Sequence, residues 1–216
     1  MQGTDGNFHG VAAGGGEYLG GTIFEITPAG VLTKLHDFRG EPSDGYVPYG
    51  ALVQGSDGNF YGTTAGGGTD ESCVFGCGTV FKVTAGGNVT IIHSLSGKDG
   101  INPLGGLVQG TNGTFYGSIS AGATYSDGTL FSLAVGLGPF IATQPTSGKA
   151  GSRVIILGYN LTGSTGVSFN GTPAAFSVIS DTEITTAVPA GATSGTVKVT
   201  TPSGTLKSNK KFRVTQ

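Results

Sequence analysis

The sequence predicts an all-β chain in two parts: a partial β-propeller-like repeat array, then a C-terminal immunoglobulin-like β-sandwich. Three observations predict it. A nine-residue segment, Gln2-Gly3-Thr4-Asp5-Gly6-Asn7-Phe8-His9-Gly10, returns at Gln54 to Gly62 and again at Gln109 to Gly117. A period of this order marks units that bury their apolar faces against their neighbours. Glycine reaches 42 of 216 residues, interleaved with Val, Ile, Thr, Phe and Tyr, the composition of short strands joined by tight turns. Beyond about residue 140 glycine thins out and strand-like runs become evenly spaced, as in a small sandwich.

Each repeat reads as two hairpins. The first runs from Tyr49-Gly50-Ala51-Leu52-Val53-Gln54 through a turn at Ser56-Asp57-Gly58-Asn59 into Phe60-Tyr61-Gly62-Thr63-Thr64. Asp-Gly between strand-like runs predicts a tight primed turn, which needs positive φ. Asn112 in the third copy tolerates the same conformation. The second hairpin begins at Gly21-Thr22-Ile23-Phe24-Glu25-Ile26-Thr27, matched by Gly78 to Thr84 and by Gly128 to Leu133. Ile23, Glu25 and Thr27 alternate with Phe24 and Ile26, which predicts a strand with two distinct faces. About four strands per repeat make a propeller-blade plan. The repeats span 1–134, as blades 1–51, 52–106 and 107–134, the last incomplete, followed by a linker at 135–140. Two and a half blades do not close a ring of about four to eight, so the missing blades lie upstream, several chains complete a ring, or the blades stack openly.

The sandwich occupies 141–216, with strands expected at 153–159, 166–170, 174–179, 183–188, 195–200 and 210–214. Val154, Ile156, Val167, Phe169, Ile184, Val197, Val199 and Phe212 are its expected core, in place of the Cys and Trp of antibody domains. Lys207 to Arg213 reads as one solvated face of the final strand, where lysines discourage edge-to-edge pairing.

Composition excludes several functions. Charged residues are 11%, net charge is −2, and there is no basic stripe, so nucleic acid is not an expected partner. No run of about 18 apolar residues occurs, so no membrane-spanning helix is expected. The first repeat begins directly after Met1, which leaves no signal peptide and is expected of a chain truncated at its N-terminus. Cys73 and Cys77, the only cysteines, lie in a Gly-rich insertion of the second repeat. They lack the further ligands of a zinc site and are expected to form a small loop disulfide, which would place the protein in an oxidising compartment.

Candidate chemistry is sparse. His36 and His93 occupy equivalent repeat positions and His9 replaces Tyr61 and Tyr116, so all three read as structural. No nucleophile elbow or phosphate-binding loop occurs, and no catalytic residue, metal ligand or cofactor is assigned. Asp5, Asp57, Asp44 and Asp99 could pair as glycosidase carboxylates or bind calcium, but all adjoin glycine and read as turn residues. Tyr18, Tyr46, Tyr49, Tyr61 and Tyr116 could stack on sugars or pack between blades.

Two resemblances add to this. Pro145-Thr146-Ser147-Gly148, Val154 to Leu161, Val167-Ser168-Phe169-Asn170-Gly171, Ile184 to Pro189 and Phe212-Arg213-Val214 resemble the IPT/TIG family of immunoglobulin-like domains, which implies a spacer, adhesion or accessory role. Leu52 to Thr64, Gly78 to Thr84, and His93-Ser94-Leu95 with Asp99-Gly100 and Pro103 resemble the GloVer tandem repeat of bacterial exported or surface proteins. Together they imply a non-enzymatic exported or cell-surface module for binding, adhesion or scaffolding, with a glycan or protein partner. The alternatives are a fragment of a polysaccharide-degrading hydrolase or lyase, or a purely structural envelope component.

Overall fold

In the first repeat Gly10 lies between β-prone neighbours because an aromatic ring needs the space. A Cβ at Gly10, Gly62 or Gly117 would stand 2.6 Å from the ring of Phe24, Phe81 or Phe131 on the adjacent strand. That recurring exchange of a missing side chain for a ring defines one face of every repeat sheet.

The computed structural model describes residues 1–40, 43–122 and 127–216, all β-strands, bridges, turns and irregular segments. They form two units: Met1–Gly110 with Thr114–Val135, and Thr111–Gly113 with Gly136–Gln216. In the first unit, β1 (Phe8–Ala12), β2 (Thr22–Ile26) and β3 (Leu32–Asp37) form one antiparallel sheet. A second sheet comprises β4 (Gly45–Pro48), β5 (Val53–Gln54), β6 (Phe60–Gly67), β7 (Thr79–Val83) and β8 (Val89–Ser94). A third has β9 (Val108–Gln109), β10 (Phe115–Ile119) and β11 (Thr129–Leu133).

The second sheet has four rows, because β4, which lies within the span 1–51 assigned to the first repeat, and β5 pair in succession with the two halves of β6. Its first row is broken around Val47, whose φ is +57°, and Pro48, which has no N–H to donate. Among the described residues the sheets of the first and third repeats have three rows; in the first, the row before β1 is reduced to one bridge, Gln2 to Phe8.

The motif turn differs from the expected primed type. The Gly58 N–H donates to Gly55 O (2.9 Å) and the Gly55 N–H to Asn59 O (2.8 Å). Only Gly58 has positive φ, +85°, while Asp57 stays in the ordinary region. This is a three-residue loop, a type I turn closed by a left-handed glycine. The aspartate contributes a side chain instead of an unusual backbone: Asp57 Oδ1 accepts the Asn59 N–H at 3.2 Å.

The sheets of the repeat unit share buried cores. Ile23 and Phe38 of the first repeat pack with Leu52, Phe60, Phe81 and Val83 of the second. Cys77 and Leu95 of the second pack with Ile119 of the third. Rings and amides couple successive motifs. His9 stacks on Phe60 with centroids 3.9 Å apart, and Tyr61 on Phe115 at 4.3 Å. Gln54 Oε1 accepts the Thr4 N–H, and Gln109 Oε1 accepts the Ser56 N–H, both at 2.9 Å. The Gln54 amide also donates to Gly58 O in its own turn.

The second unit contains β12 (Ala142–Gln144), β13 (Ser147–Gly148), β14 (Arg153–Leu157), β15 (Gly166–Phe169) and β16 (Thr172–Ala174). Then follow β17 (Phe176–Ser180), β18 (Glu183–Ala187), β19 (Val197–Thr201), β20 (Gly204–Lys207) and β21 (Arg213–Val214). Two four-stranded sheets run β12-β14-β18-β17 and β16-β15-β19-β20, and β13 pairs with β21 in parallel. All eight expected core residues are buried in one cluster, joined by Ile141, Leu161 and Val188. Phe169 meets Phe212 edge-on at 5.1 Å. Here a true primed turn occurs: Phe169 pairs with Thr172 across Asn170 and Gly171, both at positive φ. The basic run is not one strand face, because Lys207 ends β20 and Arg213 begins β21.

The ring that fills the Gly62 position makes a prediction. Gly62→Ala places a methyl 2.6 Å from Phe81 Cζ and 2.9 Å from Leu52 Cδ2, both side chains buried. It should lower unfolding free energy by about 1–3 kcal/mol, read by denaturant titration of the whole chain.

Candidate functional site

A loop too short to bury its own apolar residues must present them. After β6, Cys73 and Cys77 close a disulfide four residues apart in sequence. The Gly76 N–H donates to Cys73 O, and the Gly67 N–H to Phe75 O at 2.6 Å. Asp70 braces the loop: Oδ1 accepts the Ser72 N–H and Oδ2 the Gly97 N–H. Val74 and Phe75, held between the sulfurs, are 93% and 72% exposed.

Clefts flank this ridge. One, of about 490 Å³, is lined by Arg39, Tyr46, Asp70, Glu71 and Phe75 among others. Another, of about 440 Å³, is reached over Val74 and Phe75 and includes Tyr46, Ser72, Ile101 and Asn102. Tyr46 and Phe75 lie 6.1 Å apart with ring planes tilted by 32°. Arg39 lines a third cleft of about 350 Å³ with Glu17, Tyr18, His36, Asp37 and Asp44, and its guanidinium lies 4.9 Å over the Tyr18 ring. Rings, a cation and carboxylates therefore line adjoining clefts.

Two of those carboxylates are held ionised at neutral pH. Hydrogen bonds from Ser72, side chain and backbone, then from the Gly97 amide, hold Asp70 below the usual carboxylate range. The Lys34 ammonium does the same for Asp37. Asp70 is thus an acceptor and a poor proton donor, which suits binding better than general-acid catalysis.

The histidines do not meet one another; each joins an aspartate. His36 Nε2 lies 3.1 Å from Asp44 Oδ1, and His93 Nε2 lies 3.6 Å from Asp99. Asp44 also accepts the Arg39 and Gly45 amides. Burial pushes its carboxyl up, but the His36 ring and these two amides together outweigh that and leave it lowered. Asp99 is lowered by the Ser96 amide and hydroxyl. Both equivalent aspartates accept hydrogen bonds from their own loops. Asp57 Oδ2 accepts the Tyr61 hydroxyl at 2.9 Å. Burial first, then Asp57, pushes the Tyr61 phenol well up. Tyr49 is exposed and lines none of the three clefts described above.

Asp5, His9 and Glu25 converge, with ligand atoms all within 4.8 Å of one another. His9 Nε2 lies 3.0 Å from Asp5 and 3.7 Å from Glu25. A metal-bound imidazole donates its second N–H to a partner, whereas His9 Nδ1 is buried with no hydrogen-bond partner among the described residues. The ring's one hydrogen bond among the described residues is the Nε2 contact with Asp5. In the second repeat Tyr61 and Lys82 stand at the equivalent positions, and Tyr61 makes the same link to its turn aspartate.

Sequence reasoning pointed to Tyr46 and Tyr18 but missed Arg39, Val74 and Phe75. The available signal was an apolar pair enclosed by two cysteines and flanking glycines.

The Asp44 contacts set a pH dependence. Asp44→Ala should cost about 1–3 kcal/mol near neutral pH, since it removes charge-assisted bonds from the His36 ring and from the Arg39 and Gly45 amides. Because the folded carboxyl is lowered, its contribution is present above the unfolded value near 3.9 and is lost as pH falls through the folded value. Thermal midpoints of the two proteins should therefore converge in acid.

The Gloeobacter/Verrucomicrobia repeat matches residues 1–140 and the IPT/TIG domain matches residues 141–214. No curated protein matches the sequence. Among solved structures, an auxiliary nutrient binding protein from Bacteroides ovatus is 24% identical over 35% of this chain and 21% of its own, with a TM-score of 0.32. A fungal alcohol oxidase in complex with copper is 15% identical over 100% of this chain and 53% of its own, with a TM-score of 0.42. SGBP-B from a xyloglucan utilization locus of Bacteroides uniformis is 12% identical over 94% and 48%, with a TM-score of 0.32. The chain spans about half or less of the length of these structures. With its matched repeat covering more than half of the residues and an IPT/TIG domain behind it, the chain belongs to the Gloeobacter/Verrucomicrobia repeat family.

Proposed function

We propose that this chain is a non-enzymatic binding module of an exported or cell-surface protein, that its repeats form a propeller-like array taking carbohydrate at the disulfide-loop clefts, and that the IPT/TIG domain serves as a spacer. One observation carries the reading: Phe75 and Tyr46 stand beside Arg39, Asp70 and Glu71 on an open, preformed cleft. A sugar ring offers an apolar C–H face and a rim of hydroxyls. Exposed rings take the first, and fixed charged hydrogen-bonding groups take the second. The shape is shallow, as needed for one stretch of a longer polymer. The Cys73–Cys77 bond supports an oxidising compartment, outside the cytosol.

The test is a glycan array followed by calorimetry on the best polysaccharide. Phe75→Ala, at an exposed position, should leave the fold intact and weaken binding about tenfold or more, the equivalent of about 1.4 kcal/mol. Arg39→Ala should also weaken it. Unchanged affinity in both variants, or release of reducing ends from the bound polymer, would overturn the proposal.

A further inference from the structure

The two clefts beside the disulfide ridge differ in character. Arg39, Asp70 and Glu71 bring charge to the first. The second is lined by Val47, Ala65 and Ile101, with Ser72 and Asn102 as uncharged polar groups. Among the described residues no charged side chain lines it. Tyr46, Val74 and Phe75 belong to both clefts.

The divide between them is thin and fixed. A Cβ at Gly40, which lines the first cleft, would stand 3.1 Å from Tyr46 Cδ2, and one at Gly66, which lines the second, 3.2 Å from Tyr46 Cδ1. One edge of the Tyr46 ring therefore serves each cleft, with the Phe75 ring 6.1 Å away. The wall of the second cleft is held by backbone hydrogen bonds. The Val47 N–H donates to Gly20 O at 2.8 Å and the Asn102 N–H to Cys77 O at 3.3 Å. Asn102 O accepts the Ser120 amide and hydroxyl. Val47 and Asn102 both have φ +57° and directly precede Pro48 and Pro103. Two successive repeats thus contribute the same bend to one cleft. A wall formed in advance loses little entropy when a ligand binds.

We propose, resting on carbohydrate binding at the first cleft, that the bound polysaccharide carries an aromatic ester whose ring fills the second cleft. Charge complementarity assigns the occupant. Charged hydrogen-bonding groups stand where sugar hydroxyls need partners, and an uncharged ring matches the cleft that has no charged lining. Tyr46 and Phe75 offer offset and edge-on contacts that a flat ring can use and a methyl group cannot. At about 440 Å³ the second cleft has room for one such ring and its linkage. An ester crosses the divide because Tyr46 and Phe75 are common to both sides.

The test is calorimetry of the whole chain with the polysaccharide that the glycan array selects, used unmodified, lightly benzoylated, and acetylated to the same degree. Benzoylation should tighten binding about tenfold or more, as burial of an aromatic ring in a preformed site does. Acetylation should give a clearly smaller gain. Asn102→Asp, at an exposed position, tolerates the same positive φ and places a carboxylate in the apolar cleft. It should remove the benzoyl gain. No gain from benzoylation, an equal gain from acetylation, or a benzoyl gain that survives Asn102→Asp overturns the aromatic ester and leaves carbohydrate binding standing. Failure of every polysaccharide on the array overturns both.

Discussion

The stacking of one repeat's ring on the next repeat's phenylalanine is the contact on which the repeat unit depends. In a repeat array each sheet buries its apolar face against its neighbours. Placing His9 over Phe60 and Tyr61 over Phe115 turns three weak sheets into a shared core. The remainder of the motif serves that contact. The glycine at 10, 62 or 117 makes room for the ring from the neighbouring strand, and the turn aspartate fixes the stacking ring through Asp5 to His9 or Asp57 to Tyr61. The glutamine ties the next repeat to the previous turn. A segment that looks like a recurring chemical site is a recurring joint.

This division of labour frees the insertion. Because the joint holds the second repeat in place, the loop between β6 and β7 carries no core residue except Cys77. It can then hold Val74 and Phe75 outward, braced by a disulfide and by Asp70. The exposed apolar ridge would be costly on a structure that also needed it for folding. Here it lies on a short, cross-linked scaffold where little entropy remains to be lost on binding.

Much of this was legible in the sequence. The sandwich core was readable because period-two alternation places Val154 and Ile156, or Val197 and Val199, on one face. The disulfide was readable from two cysteines with no metal partners. The motif turn was misread because Asp-Gly serves both two-residue primed loops and three-residue loops closed by a left-handed glycine; only the pairing of Gly55 with Asn59 separates them. The clasp by Gln54 and Gln109 was invisible because its partners, Thr4 and Ser56, are 50 and 53 residues away. The clefts escaped notice for the same reason, since Arg39 and Phe75 come from different repeats.

The central claim, that the motif is an inter-repeat joint, is tested most directly by a double-mutant cycle on Tyr61→Leu and Phe115→Leu with unfolding free energy as the readout. Coupling of about 1 kcal/mol between the two positions is the predicted result for a buried aromatic pair. Additivity within about 0.3 kcal/mol would contradict it, and would mean that each ring stabilises only its own sheet.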